Sequence, residues 1–207
     1  MSKTLEHWDQ VYTRKNETEV SWYQPLPERS LALIRSAAPN VSASILDVGG
    51  GASHLVDELL ALGYFDLTVL DVSQAALNHS KERLGKLADK VSWIATDITE
   101  WTPSRTWDIW HDRAVFHFLT ATKDQDAYVA VLEASTKPGS VAVISTFALN
   151  GPERCSGLPV QRYSPATLAA RLGSRFELIS EALEPHTTPW GSIQNFTYAV
   201  LRRRSNI

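Results

Sequence analysis

Three aspartates each close a short apolar run: Asp47 after Ile45-Leu46, Asp71 after Leu67 to Leu70, and Asp97 after Trp93 to Thr96. An ionised carboxylate only accepts hydrogen bonds, so an acid at a strand end takes them from hydroxyls, amines or backbone amides. Asp47 opens onto Val48-Gly49-Gly50-Gly51-Ala52-Ser53, where glycines let the chain turn sharply and approach a ligand closely. On its own this also reads as an ordinary glycine-rich turn. Asp71, with Val72 beside it, stands about 20 residues further on, the place of the acid that takes two ribose hydroxyls in nucleotide-binding sheets. It also precedes a helix closely enough to cap it. Asp97 can accept from the amino group of a base, with Ile98 supplying a backbone amide and an apolar face; it also reads as a loop cap. Each acid alone is a weak signal, but strand ends on one edge of a parallel sheet converge on a single crevice.

A second group, His111-Asp112-Arg113 with His117, follows the fourth apolar run. His111 or His117 could take a proton from a nucleophile, Asp112 could orient either, and Arg113 could hold an anion. The same residues also suit a buried network that braces the loop. No fourth ligand accompanies His111, Asp112 and His117, so no metal site is expected. The stretch from Phe147 to Tyr163 is long for a connection in a compact domain, and such loops are lids or disordered segments. Within it Arg154, Arg162 and Tyr163 are candidate substrate contacts; His186 and Gln194, in the last loop and strand, are weaker ones. Cys155, the only cysteine, reads as a thiol that packs rather than reacts.

Positioning these groups requires an α/β fold. Strands are expected at Ser44–Val48, Leu67–Asp71, Val91–Ala95, Trp107–His111 and Ser140–Phe147, with helices over Ser53–Leu62, from Ser73 to about Leu87, over Asp124–Ser135 and from Pro165 to about Leu172. Lys137-Pro138-Gly139 is read as a helix stop. Alternation of this kind gives a doubly wound, mostly parallel sheet with helices on both faces. Phe176–Leu183 and Asn195–Arg202 break it, and their hairpin-like ending adds an antiparallel strand. Two short helical stretches, Thr4–Thr13 and Pro27–Ala37, precede the first strand, and Val20–Pro27 between them looks like a lid or brace. One domain is therefore expected: residues 1–38 as an N-terminal helical lid and 39–207 as the core.

Composition excludes several function classes. With 207 residues and 43% hydrophobic content the chain can bury one sizeable core. A net charge of -3 gives no general attraction to nucleic acid or anionic membrane, and Arg202-Arg203-Arg204 reads as a solvated strand end. A single cysteine and a polar start without an apolar segment fit a reducing, cytoplasmic setting.

The succession DVGGGAS, LDVS, TDIT and WDIWHDR resembles the class I S-adenosylmethionine-dependent methyltransferases from about residue 40 to the C-terminus. The resemblance implies a seven-stranded sheet with an antiparallel final strand and S-adenosylmethionine as cofactor, released as S-adenosylhomocysteine. It implies that Asp47 and the loop Gly49, Gly50 and Gly51 face the methionine moiety, with His111 near, that Asp71 takes the ribose, and that Asp97 with Ile98 takes the adenine. Ser53 stands where the family often has glycine. The opening His7-Trp8-Asp9-Gln10-Val11-Tyr12 with Ser21-Trp22-Tyr23 is similar to small protein-lysine methyltransferases, including the citrate synthase type, and implies that Trp22 or Tyr23 closes over the cofactor. Those enzymes carry Asp-Lys-Gly after the fourth strand. Asp112-Arg113-Ala114 is nearer the Asp-Arg-Gly region of thiopurine and tellurite-resistance methyltransferases. The expected acceptor is a small molecule, with a protein lysine as the alternative. A non-catalytic cofactor-binding subunit is a third reading, against which the crowded loops after the fourth and fifth strands argue.

Overall fold

In the computed structural model, which describes residues 3–205, the two strands that carry Asp47 and Asp71 are buried at every position. Parallel strands covered by helices on both faces need such near-continuous apolar runs. The elements in chain order are α1 (Lys3–Arg14), α2 (Glu28–Ala37), β1 (Ile45–Val48), α3 (Leu55–Ala61), β2 (Leu67–Asp71), α4 (Gln74–Leu84), β3 (Val91–Ala95), β4 (Trp107–Arg113), α5 (Thr122–Ala134), β5 (Thr136–Phe147), β6 (Arg154–Cys155), β7 (Leu158–Pro159), α6 (Pro165–Leu172), β8 (Phe176–Thr187) and β9 (Ile193–Arg203). One sheet runs β3-β2-β1-β4-β5-β9-β8. All pairs from β3 to β5 are parallel, and β9 lies antiparallel between β5 and β8. The strand order reverses between β1 and β4, which opens a crevice at their carboxyl ends.

Helices α2, α3 and α4 cover one face around Ile34, Leu55, Leu59 and Leu77, and α5 and α6 cover the other around Tyr128, Leu132, Leu168 and Leu172. β4 contributes Ile109 to the first core and Trp110 to the second, the alternation expected of a strand. His111 and Asp112 therefore project to opposite faces.

Asp112 is fully buried and accepts from the backbone amides of Val115 at 2.7 Å and Phe116 at 3.1 Å and from the Tyr128 hydroxyl at 2.6 Å. The Trp110 indole N–H in turn donates to Tyr128 at 2.9 Å. This network locks the turn after β4 onto α5.

Beyond shifts of one to three residues at element ends, the structure differs from the sequence reading in the following ways. β5 begins at Thr136 and takes in Lys137-Pro138-Gly139, so that run starts a strand rather than trailing a helix. β8 and β9 extend to Thr187 and Ile193, because their ladder continues through half-exposed polar residues that carry no apolar alternation. The long segment after β5 contains an ordered hairpin, β6–β7, turning through Ser156 and Gly157, both at positive φ as a two-residue turn of this hand requires.

Tyr128→Phe removes one hydroxyl from two buried partners, and should lower the unfolding free energy by about 1–3 kcal/mol in a urea titration. Binding at the crevice should change little, because Tyr128 lines no part of it.

Candidate active site

Asp47, Asp71 and Asp97 sit at the carboxyl end of β1, at that of β2 and just beyond β3, on one edge of the sheet. Two joined cavities open there. The smaller, about 60 Å³, is lined by Asp47, Gly49, Gly50, Ser30, His111 and Tyr23 among others. The larger, about 460 Å³, is lined by Asp71, Val72, Asp97, Ile98, Val115 and Phe118 among others, a volume suited to a small ligand. Tyr12, Trp22, Val48, Gly49 and Arg113 border both and form the neck between them.

The glycine loop is shaped by close approach. Gly49 has φ +71°, and a Cβ there would strike the Val115 side chain. A Cβ on Gly51 would lie 2.5 Å from the Ala76 Cβ and 2.6 Å from Asp71 Oδ2. Gly51 lines neither cavity; its N–H donates to Asp71 Oδ2 at 3.0 Å and so positions that carboxylate.

Asp71 Oδ1 accepts from the Ser73 amide at 2.8 Å. Each oxygen thus takes one backbone donor and keeps acceptor capacity toward the cavity. Burial, reinforced by Asp47 and Asp9 nearby, raises its pKa to about 6 against the pull of these two amides. Ser73 caps α4 itself, accepting from the Ala76 amide at 3.1 Å, so Asp71 is free of that duty.

Asp47 Oδ1 accepts from His111 Nδ1 at 2.6 Å, and His111 Nε2 meets Ser30 Oγ at 2.8 Å. Asp47 Oδ2 is buried and has no partner among the described residues. An unpaired, buried carboxylate oxygen on a glycine loop is a site for a cation such as the ammonium group of an amino acid. With the ribose-type acid at Asp71, the residues present fit S-adenosylmethionine. Asp97 caps its loop, Oδ1 accepting from the Thr99 amide and hydroxyl at 2.9 and 2.7 Å, and the residue also lines the larger cavity.

The N-terminal segment covers the crevice. Asp9 Oδ1 accepts from the Ser73 hydroxyl at 2.6 Å and His79 Nε2 donates to the Tyr12 carbonyl at 2.8 Å, which pins α1 beside α4. Trp8 meets Trp22 and Phe118 edge to face at 5.6 and 5.0 Å. The Trp22 indole donates to the Tyr12 hydroxyl at 3.0 Å, and burial holds that phenol protonated. Trp8, Tyr12 and Phe118 are site residues that sequence reading missed; the aromatic spacing of α1 carries no mark separating cleft from core. The hairpin β6–β7 adds Cys155, Leu158 and Pro159, and Ser156 Oγ lies 3.3 Å from His7 Nε2, so the two covers touch.

Several candidates fall outside the site. Asp112 orients neither histidine, because strand alternation turns it toward α5 and its oxygens hold Val115, Phe116 and Tyr128. His117 lies beneath the crevice rather than in its wall; Nδ1 accepts from the Phe147 amide at 3.2 Å, and burial together with Arg113 lowers its pKa to about 3. Its Nε2 has no partner among the described residues. Arg113 lines both cavities, but it donates to the Trp22 carbonyl and Glu184 and stacks 4.4 Å from the Phe196 ring centroid. Arg154 bonds the Gly157 carbonyl, and Arg162 bonds the Gly151 carbonyl and Glu153, so both brace their own loop. Tyr163 packs in the α5-side core with its hydroxyl accepting from Gln125. His186, its pKa lowered by burial and by Arg113, donates to the Ser21 carbonyl at 2.7 Å and anchors the lid segment from below. None of these four lines either cavity, and neither does Gln194. The Cys155 thiol does line the larger one, with its pKa pushed up to about 11 by burial. Among the described residues no group of three His, Cys, Asp or Glu side chains could hold a metal ion, and no helix is long and apolar enough to cross a membrane.

Residues 46–142 match the family model described as a methyltransferase domain. Solved structures share the fold over nearly the whole chain. The 1,6-didemethyltoxoflavin-N1-methyltransferase of Burkholderia thailandensis, with S-adenosylhomocysteine bound, has a TM-score of 0.73 at 17% identity, covering 98% of this chain and 88% of that one. The N-methyltransferase NodS of Bradyrhizobium japonicum, also with S-adenosylhomocysteine, has 0.72 at 17% identity, covering 95% and 98%. A structure from work on the conversion of a disulfide bond into a thioacetal group during echinomycin biosynthesis has 0.76 at 19% identity, covering 98% and 94%. The mouse eEF1A lysine and N-terminal methyltransferase is 23% identical over 123 residues, 59% of this chain and 17% of that protein, so the chain spans less than a fifth of that relative's length. Residues 46–142 thus resemble a methyltransferase domain, and nearly the whole chain shares the fold of solved methyltransferases.

The elevated pKa of Asp71 sets a pH dependence. Its raised value, and that of Asp112 at about 6, means that folding favours the protonated carboxyls. Their contribution to stability is present below the ordinary carboxylate range near 4 and is lost as pH rises through about 6. A ribose held by Asp71 would need the ionised carboxylate as acceptor, so cofactor affinity is expected to have the opposite sign. S-adenosylhomocysteine should bind about tenfold more weakly at pH 5 than at pH 7.5 by calorimetry, with the dependence flattened in Asp71→Asn. At neutral pH, Asp71→Ala should weaken binding roughly 30-fold or more, the value of about 2 kcal/mol in lost charge-assisted bonds.

Proposed function

We propose that this enzyme methylates a heteroatom of a small-molecule acceptor, with a thiol first among the candidates. The lining of the larger cavity carries the reading: α1 and the β6–β7 hairpin touch through Ser156 and His7, and Trp8, Trp22, Phe118, Leu119, Leu158 and Phe196 stand in the chamber's wall. Apolar and aromatic walls suit a compact, partly apolar molecule.

S-adenosylmethionine, when bound, supplies a methyl group on a good sulfonium leaving group. The Asp47 carboxylate and the Gly49–Gly50 loop would hold the amino-acid end, Asp71 the ribose, and Asp97 with Ile98 the adenine. The protein's work is then to align the acceptor and exclude water. The segment from α1 through α2 would do this as a lid, with Trp8, Tyr12 and Trp22 on the cleft side. Aromatic faces also favour a cationic centre beside them. No histidine faces the larger cavity: His111 opens on the smaller one with both ring nitrogens engaged, and His117 lies beneath. The absence of a ready histidine base from this wall favours an acceptor that ionises by itself, and a thiol with pKa near 8.5 does so close to neutral pH.

Amine acceptors form the second reading. Glu100 and Asp124 line the chamber and would suit a cationic amine, and the curated relatives are named as lysine and N-terminal methyltransferases. NodS and the toxoflavin enzyme are named as N-methyltransferases, whereas the echinomycin structure concerns sulfur chemistry. A cofactor-binding subunit without turnover is disfavoured by a chamber that extends beyond the three cofactor acids.

Formation of S-adenosylhomocysteine over a panel of small thiols, amines and phenols tests the proposal. Turnover on a thiol, with a pH–rate profile that moves with the pKa of each thiol tried, is expected. Cys155→Ala should leave that turnover near normal, because methyl transfer needs no enzyme nucleophile. Label from the cofactor appearing only on a protein band in lysate would overturn the small-molecule reading in favour of a protein acceptor.

A further inference from the structure

Ala114, at the turn that follows β4, has φ +78°, a left-handed backbone conformation that glycine adopts freely and alanine does not. The surroundings over-determine this geometry. Ala114 N–H donates to the Ser145 carbonyl at 2.9 Å. Asp112 behind it holds the amides of Val115 and Phe116, and Arg113 before it is fixed on the Trp22 carbonyl, Glu184 and the Phe196 ring. Glycine would satisfy every one of these backbone contacts without strain. What alanine adds is a single methyl group, and Ala114 lines the larger cavity between Arg113 and Val115. Arg113 borders the neck, and the Val115 side chain packs against Gly49, which also borders it. Ala114, partly buried against the core on the α2–α4 face, therefore stands in the wall of the larger cavity next to Arg113 of the neck.

Strain that persists at a ligand cleft, held in place by its surroundings, marks a residue kept for what its side chain does there. We propose that Ala114 is a specificity-determining residue, its Cβ limiting the bulk of the group that can occupy the cleft beside the neck. The proposal rests on the cofactor site assigned above and is independent of the acceptor's identity. Enlarging the wall should relax selection for size, and the same change should stabilise the fold, a pairing that an ordinary packing residue would not give.

The test uses the full chain, wild type and Ala114→Gly, with two readouts. The first is the melting temperature without ligand, expected to rise by about 2–4 °C in the variant. The second is calorimetric affinity for S-adenosylhomocysteine and for stable nitrogen-for-sulfur cofactor analogues bearing methyl, ethyl, propyl or benzyl groups. Wild type should lose affinity steeply along the series, whereas the variant should bind the benzyl analogue about tenfold more tightly than wild type while its S-adenosylhomocysteine affinity stays within about twofold. An equal fall-off in both proteins, or a lower melting temperature in the variant, would overturn the role given to Ala114. Failure of wild type to bind S-adenosylhomocysteine would instead overturn the cofactor site beneath it.

Discussion

Three carboxylates nearly removed from water lie at the carboxyl edge of the sheet: Asp47 on β1, Asp71 on β2 and Asp112 on β4. A buried carboxylate must be hydrogen-bonded or it destabilises the fold. Asp112 is answered wholly by the protein, through two amides and the Tyr128 hydroxyl. Asp71 is answered in part, by two amides that leave acceptor capacity toward the cavity. Asp47 is answered on one oxygen only. This gradation separates a structural acid from two acids that line the cavities with acceptor capacity to spare, and the turns around them follow from it. The glycine loop bends close enough for Gly51 to reach Asp71, and the turn after β4 is drawn in by Asp112.

The lid depends on the same edge. α1 is fastened to the β2–α4 junction through Asp9 and Ser73, two residues from Asp71. Its segment toward α2 is tied to β8 and β4 through the Ser21 and Trp22 carbonyls. Glu17 completes the closure against Arg83 and His54 on the far side. The aromatic wall of the chamber is thus carried by a segment anchored at several points around the sheet, one of them two residues from Asp71.

The convergence of the three strand-end acids was legible in the sequence because the carboxyl ends of parallel strands must converge. Strands with strong apolar runs located Asp47, Asp71 and Asp97 without any knowledge of the helices. The surroundings of the remaining candidates were not, for two reasons. Adjacency in sequence misleads inside a strand: His111 and Asp112 look like a dyad, yet alternation places them on opposite faces. Arginines in a long loop look like anion contacts, yet Arg154 and Arg162 are consumed by the carbonyls and carboxylate of their own loop, as an ordered hairpin requires. Trp8 and Tyr12 sit on a helix far from the sheet in sequence, where nothing but the folded chain brings them to Phe118 and the neck.

The central claim is that the free oxygen of Asp47 receives the amino-acid end of the cofactor while Asp71 receives the ribose. The most direct measurement is calorimetric binding of S-adenosylhomocysteine and of 5′-methylthioadenosine, which lacks the amino-acid end, to wild type and Asp47→Asn. The account predicts that the substitution weakens S-adenosylhomocysteine by about tenfold or more and leaves methylthioadenosine nearly unchanged. An equal loss for both ligands, or no loss for either, would contradict it.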